Sequence, residues 1–374
     1  MSEGGGTTTT SISQEEAFAR IRLLRSANIG PVSYAQLLRR FGNAIAALEA
    51  LPDLARRGAK RDYRPAARSR IENEVAAARE ERARYVFHDS SDYPALLGKM
   101  EGAPPILTVR GDMALAAKPC VAMVGARNAS AAAVKLARDF ARELGQGGFT
   151  VVSGLARGID GACHEGAMPH TIGVIASGID IAYPPQHAKL QEQIASDALL
   201  IAEEPPGTQP RGQHFPKRNR IIAGLAGGTL VVEAATKSGS LITARLAGEA
   251  GREVMAIPGS PLEARSQGCN HLIREGAVLV QSADDVMELL SGYDGSPLSS
   301  FHEPVSPTDY GDFSEDEAAN GADIADLLTT APVAVDELIR QSGESAGAVQ
   351  MALLELEIAG NLVRHAGGRV SLAG

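Results

Sequence analysis

No stretch of the 374-residue chain approaches the ~20 consecutive apolar residues that cross a bilayer. Residues 1–10 also lack the basic-then-apolar order of a secretory signal. A cytoplasmic protein with no membrane partner is therefore expected. Cysteine is scarce: Cys120, Cys163 and Cys269 are odd in number, far apart and without a CxxC pair. That excludes a disulfide framework and a zinc knuckle, and it suits a reducing compartment. The eight histidines show no HxH or HExxH spacing, so no metal site is expected. Lys237-Ser238 lacks the glycine that a P-loop places before its lysine, which leaves ATP hydrolysis unsupported. No Ser or Cys sits in a G-x-S-x-G elbow, although Ser153-Gly154 and Ser177-Gly178 come near. No cofactor and no enzymatic activity are expected.

What is present describes a globular chain. Hydrophobic residues make up 44%, and 40 Gly with 20 Pro give many turns. The length exceeds what one compact core usually holds, so two or three domains are expected. Lys and Arg vanish between Arg274 and Arg340, where 15 Asp and Glu stand. The whole chain carries −9 and residues 340–374 are neutral, so residues 1–274 carry +6. The basic share holds the motifs, which keeps nucleic acid among the partners.

After a disordered-looking start at 1–11, residues 12–85 read as a helical module of helix-hairpin-helix or sterile-alpha-motif type. Phe18, Ile21, Leu24, Leu37, Leu38 and Phe41 recur at helical spacing, and Asn28-Ile29-Gly30-Pro31 interrupts them as a tight turn. Such a turn offers N–H groups to a phosphate, or it is simply a connection. The Arg-rich stretch 56–70 suits nucleic acid or a solvated helix face. From 86 to 290, β-branched runs at 121–124, 150–153, 171–175, 199–201, 229–233, 254–257 and 278–280 alternate with Ala-rich helical segments. Apolar strands without polar alternation imply a parallel sheet covered on both faces. The fold class is α/β, a Rossmann-like doubly wound parallel sheet. Residues 291–320, rich in Ser, Pro, Gly and acid, read as an acidic flexible linker. Residues 321–374 order as a small winged-helix-like domain, with helices at 324–328, 335–340 and 345–358 and two short strands flanking 366–368. Its third helix carries two Glu and no Lys or Arg, which favours a protein–protein or regulatory role over DNA docking.

In doubly wound sheets ligands sit beyond the carboxyl ends of the strands. There the first run is followed by Gly125-Ala126-Arg127-Asn128-Ala129-Ser130, opening a helix near Ala131. Gly125 permits close backbone approach, the helix start presents N–H groups, and Arg127 can fork onto a phosphate. An ordinary strand–helix turn with a surface arginine explains the same residues. Gly154-Leu155-Ala156-Arg157-Gly158-Ile159-Asp160 forms a second such loop. Neither a G-x-G-x-x-G after the first strand nor an acidic residue ending the second is present, which argues against a dinucleotide. In residues 203–225 a Pro-stiffened loop leads into a basic helix, where Arg211, Lys217, Arg218 and Arg220 surround Phe215. An aromatic among cations suits single-stranded nucleic acid, with a base on the ring and phosphates on the cations. The alternative is that Phe215 closes the core and Asn219 or Arg220 ties down the loop. After Lys237, Ser238, Gly239 and Ser240 precede another helix, which they cap or use to hold a phosphate through hydroxyls and N–H groups. Pro258-Gly259-Ser260 and the segment at 268–273 are assigned structural roles.

Taken in order, VGAR, VSGLARGID, SGIDIAYP, EEPPGTQP, HFPKRNRIIAGL, VVEAATKSGSLITA, GREVMAIPGS and GCNHLI resemble the bacterial DNA-processing protein A (DprA/Smf) family. The resemblance covers residues 86–290. It implies a Rossmann-fold homodimer that binds and protects single-stranded DNA in a basic pocket, interacts with RecA, and helps load it during natural transformation. The family's phosphate-binding turn falls on Gly125, Ala126 and Arg127, and its base-and-backbone loop on Phe215, Lys217, Arg218, Asn219 and Arg220. With Ser130, Gly154, Arg157, Gly158, Arg211, Lys237, Ser238, Gly239 and Ser240, these make the expected DNA-binding set. Two departures stand out. Ala131-Ala132-Ala133 replaces the family's frequent Tyr-Gly, and the Tyr183-Pro184 loop runs without a cation to Lys189, so no DNA contact is expected from it.

Two other functions compete. One is a nucleotide phosphoribohydrolase, suggested by Gly227-Gly228-Thr229 with Glu233 behind it. Its glycines precede the strand instead of following it. The other is an interaction protein without DNA binding, which predicts no salt-dependent affinity for DNA.

Overall fold

The computed structural model describes residues 12–60, 62–292, 321–365 and 367–373. The expected start at 1–11, and all but the first two residues of the expected linker at 291–320, lie outside them. The described residues form two compact units. One comprises those through Asn73 together with those from 321 onward, and the other begins at Glu74. Helices α1 (Gln14–Leu24), α2 (Pro31–Phe41) and α3 (Ala44–Arg57) open the first unit, and α4 (Arg68–Glu80) contains the division. Local chemistry sets these limits. Ser13 and Asn43 cap α1 and α3 by accepting from the backbone N–H groups of Glu16 and Ala46. Gly42, at φ +74, ends α2 in the left-handed conformation. The Glu16 carboxylate pairs with Arg20 and also accepts from Ala44 N at 2.9 Å, which ties α1 to the start of α3.

The second unit is built on a nine-stranded sheet. In chain order its elements are β1 (Arg84–Phe87), α5 (Ala95–Gly98), β2 (Ile106–Gly111), β3 (Cys120–Val124), α6 (Ala131–Gln146) and β4 (Thr150–Ser153). Then come α7 (Ile159–Ala167), β5 (Thr171–Ile175), α8 (Ala188–Asp197), β6 (Leu199–Ala202), α9 (His214–Leu225) and β7 (Gly228–Val231). The last are α10 (Ser240–Glu249), β8 (Glu253–Ala256), α11 (Gln267–Arg274), β9 (Val278–Leu279) and α12 (Ala283–Leu290). The spatial order is β1-β2-β6-β5-β4-β3-β7-β8-β9. From β6 to β9 all neighbours are parallel, whereas β2 pairs antiparallel with β6, and β1 with β2. The sheet is therefore mixed at one edge, a departure from the all-parallel expectation, because β1 and β2 carry the strand pairing beyond β6. The parallel part is apolar on both faces for a simple reason: Val121 and Met123 of β3 enter one core, and Ala122 and Val124 enter the other. Strand order reverses at β3, which places the topological switch between β3 and β7.

The C-terminal elements are α13 (Gly321–Asp326), β10 (Val333–Ala334), α14 (Val335–Ser342), α15 (Ala346–Ala359), β11 (Leu362–His365) and β12 (Arg369–Leu372). The strands pair antiparallel in the order β10-β12-β11, and Ile324, Leu338, Val349, Leu353 and Val370 fill a small core, completing the expected winged helix. These elements belong to the same compact unit as α1–α3.

Candidate nucleic-acid interface

The loops that follow the parallel strands share one edge of the sheet, and the structure assigns them unequal tasks. At the switch point the crevice is occupied from within. The Glu233 carboxylate accepts from Ser130 N at 3.0 Å and from Ser130 Oγ at 2.7 Å, while its carbonyl accepts from Ala126 N at 2.7 Å. Ser130 Oγ also caps α6 at Ala133 N. An internal carboxylate thus satisfies the positive start of α6 that the sequence marked as an anion site, and the polar groups of Ala126 and Ser130 are engaged there. Gly125 serves packing: a Cβ there would stand 2.6 Å from Ile159 Cγ1.

One step along the edge the geometry opens. Arg127 is exposed, with its guanidinium carbon 5.3 Å from the centre of the Phe215 ring. Tyr183 lies on the Phe215 ring as well, with centroids 5.7 Å apart and planes at 56°. Tyr183 is 45% exposed, unusual for a large aromatic and consistent with a ring left open to a ligand. Together with Gly154, Arg157, Pro210 and Arg218 these residues line a cavity of ≈ 50 Å³. The loop after β4 is locked to the loop after β3. Gly158, at φ +76, would place a Cβ 2.3 Å from the Ala126 carbonyl oxygen, so only glycine lets the two backbones meet.

The floor of the cavity is Arg218. Its guanidinium is buried and Nη1 donates to the carbonyls of Gly154, at 2.6 Å, and Val174. Gly154 is a glycine because a Cβ there would strike that group at 2.4 Å. Burial pulls the Arg218 pKa down to about 10, with Asp160 opposing the shift and Arg127 adding to it. Asp160 accepts from the backbone N–H of Gly154 and Ala156. Burial raises its pKa against the pull of Arg218 and those two hydrogen bonds.

The remaining expected cations divide. Arg157 and Arg211 are exposed and, like Arg127, have no carboxylate partner among the described residues. Lys217 pairs with Glu204 at 3.0 Å, and Arg220 with Glu203 at 2.6 Å and with the Gly102 carbonyl. Asn219 accepts from Arg218 Nε. Lys237 is exposed on the loop after β7, and Ser238 and Ser240 hydrogen-bond each other at 2.7 Å beside Gly239. The structure gathers Arg127, Gly154, Arg157, Phe215 and Arg218 into one cavity. It gives Ser130 to Glu233, and it gives Lys217 and Arg220 to acids. Tyr183 is the residue that sequence reasoning set aside. Its loop has no cation before Lys189 and so lies outside the expected set, and the structure places its ring beside Phe215 at the cavity. Among the described residues no three His, Cys, Asp or Glu are placed to hold a metal ion. His164 is fully buried on Thr171, and burial drives its pKa down to about 3.

Comparison with known proteins converges on one family. The model described as DNA recombination-mediator protein A matches residues 84–291, flanked by a DprA-like N-terminal HHH domain at 14–77 and a DprA winged helix domain at 314–368. DNA processing protein DprA of Streptococcus pneumoniae is 46% identical over 198 residues, 52% of this chain and 70% of that protein. Protein Smf of Escherichia coli is 37% identical over 292 residues, 76% of each chain. The X-ray structure of the Streptococcus pneumoniae DprA superposes with a TM-score of 0.63 at 36% identity, over 72% of this chain and 97% of that one. DNA processing protein A of Helicobacter pylori, whose structure was described for its single-stranded DNA binding mode, gives 0.52 at 29%, over 56% and 97%.

Proposed function

Because the chain belongs to the DprA/Smf family of DNA recombination-mediator proteins, we propose that it binds single-stranded DNA in the Arg127–Phe215–Tyr183 cavity and acts as a recombination mediator, not as an enzyme. The observation that carries this reading is a partly exposed aromatic pair flanked in one cavity by Arg127 and Arg157, which have no carboxylate partner among the described residues. Bases of a single strand offer free π-faces to Phe215 and Tyr183, and their phosphates suit Arg127, Arg157 and Arg211. A duplex stacks its bases internally and offers no such face, so preference for the single strand follows from the chemistry of the site. Protection of incoming DNA, RecA loading and a role in natural transformation complete the proposal. Assembly as a homodimer is part of it, supported by the exposed edge strand β9, where Val278 and Leu279 stand open to solvent. Three buried free thiols suit the reducing cytoplasm assigned to it. The phosphoribohydrolase rival needs Glu233 as a reacting carboxylate, and that group is bonded to Ser130.

The test is a fluorescence-anisotropy titration of labelled oligo-dT and of its duplex, comparing the intact protein with Arg127→Ala and Phe215→Ala. Single-strand preference lost in both variants, with unchanged thermal unfolding, supports the site. Binding indifferent to both substitutions rejects it.

A further inference from the structure

Helix α15 stands where a winged helix presents its recognition helix to a DNA groove. Here it is buried along nearly its whole length, from Ala348 to Ala359. It is apolar on all sides because it serves two cores at once. Val349 and Leu353 complete the winged-helix core, while Met351, Leu354 and Ile358 enter the core of α1–α3 beside Leu37 and Leu51. Polar groups fix the register of this docking. Gln36 Nε2 donates to Gln350 Oε1 at 2.9 Å, Asn361 Nδ2 donates to the Gly58 carbonyl at 2.8 Å, and Arg57 meets the Glu355 carboxylate at 3.4 Å. The approach is close enough to require glycine, since a Cβ at Gly58 would lie 2.1 Å from the Glu355 carbonyl oxygen. The α1–α2 turn is tethered too: the exposed Asn28 donates from Nδ2 to the Ile358 carbonyl at 3.0 Å.

We propose that the two terminal modules form a closed pair, in which the N-terminal helices cover α15 and Glu355 of α15 neutralises Arg57 of α3. DNA contact in the resting protein is thereby confined to the central domain. The charges agree with this assignment. Helix α15 carries Glu355 and Glu357 and no cation, so it suits the arginines of the N-terminal helices and repels a phosphate backbone. Glu355 occupies Arg57 much as a phosphate would, with Arg40 near enough to act on it electrostatically. Undocking frees Arg57 from Glu355 and uncovers α15 together, and the ligand that a winged helix beside a freed arginine suits is the phosphodiester backbone of duplex DNA.

The test uses the full chain. Gly58 has φ −76, which any residue adopts, so Gly58→Leu leaves the end of α3 intact and disturbs only its fit to α15. Gln36→Cys/Gln350→Cys supplies a lock, and the native cysteines are all buried. The lock is expected to cross-link on mild oxidation, read as a mobility shift in a non-reducing gel. Gly58→Leu is expected to speed hydrogen exchange in α15 and to raise duplex affinity by roughly fivefold or more, the low end of couplings between sites. Oligo-dT affinity should stay unchanged, and adding the oxidised lock should return duplex affinity to the starting value. Gln350→Lys, which leaves Gly58 in place, carries the same expectations should Gly58→Leu fail to accumulate. Exchange in α15 that does not change, or faster exchange without a gain in duplex binding, overturns the proposal. Loss of oligo-dT binding in Arg127→Ala bears on the central cavity alone.

Discussion

Each phosphate neutralised on a single strand contributes about −0.7 to the slope of log affinity against log salt. The six cations that the sequence places after β3 and β4 and around Phe215 would together give about −4. The structure reduces that number. Lys217 is already matched by Glu204 and Arg220 by Glu203, and Arg218 is buried on two carbonyls. Arg127, Arg157 and Arg211 remain, which brings the slope to about −2. The assay is oligo-dT anisotropy over a salt series, with Arg127→Ala and Lys217→Ala as perturbations. Arg127→Ala should flatten the slope by about 0.7, whereas Lys217→Ala should leave it nearly unchanged, because its charge is offset before DNA arrives. A wild-type slope of about −3 or steeper would refute this division of the cations. So would a Lys217→Ala slope as flat as that of Arg127→Ala.

Three further outcomes follow from the same geometry. Phe215→Ala should weaken oligo-dT binding by about 1 to 3 kcal/mol while leaving the salt slope unchanged, since a ring releases no counterions; titration at two salt concentrations separates the two effects. Arg218→Met leaves Asp160 as a buried charge without its main counter-ion, so thermal melting should show a loss of about 3 to 5 kcal/mol. Burial lowers the His164 pKa from 6.5 to about 3, so its neutral form supports folding above pH 6.5 and that support is lost as pH falls. Denaturant midpoints should drop as pH falls from 6.5 towards about 3, and His164→Gln should flatten the drop.

Strands β3 to β8 were legible because burial on both faces removes the polar alternation that marks a half-exposed strand. β1 and β2 were not, since Arg84, Thr108 and Arg110 break the apolar run at the antiparallel edge. In the site, Arg127 and Phe215 were legible as a cation and a ring at strand ends. The pairing of Arg220 with Glu203 was not, because it depends on α9 passing the end of β6. Ser130 and Glu233 are 103 residues apart, and only the adjacency of β3 and β7 brings them together. Nothing in the tail's own residues revealed that α15 is shared with α1–α3, although its uniform apolarity was the available signal.

Arg218 also bears on how the cavity meets a strand. A surface arginine gives up conformational freedom each time it grips a phosphate, at a cost approaching ~2 kcal/mol. Arg218 gave up that freedom when the chain folded, held by the carbonyls of Gly154 and Val174. The cavity therefore has a floor of positive potential that needs no ordering on encounter. The exposed Arg127 and Arg157 keep their freedom to reorient, so the proposed site joins a preset floor to side chains that can exchange one phosphate for the next.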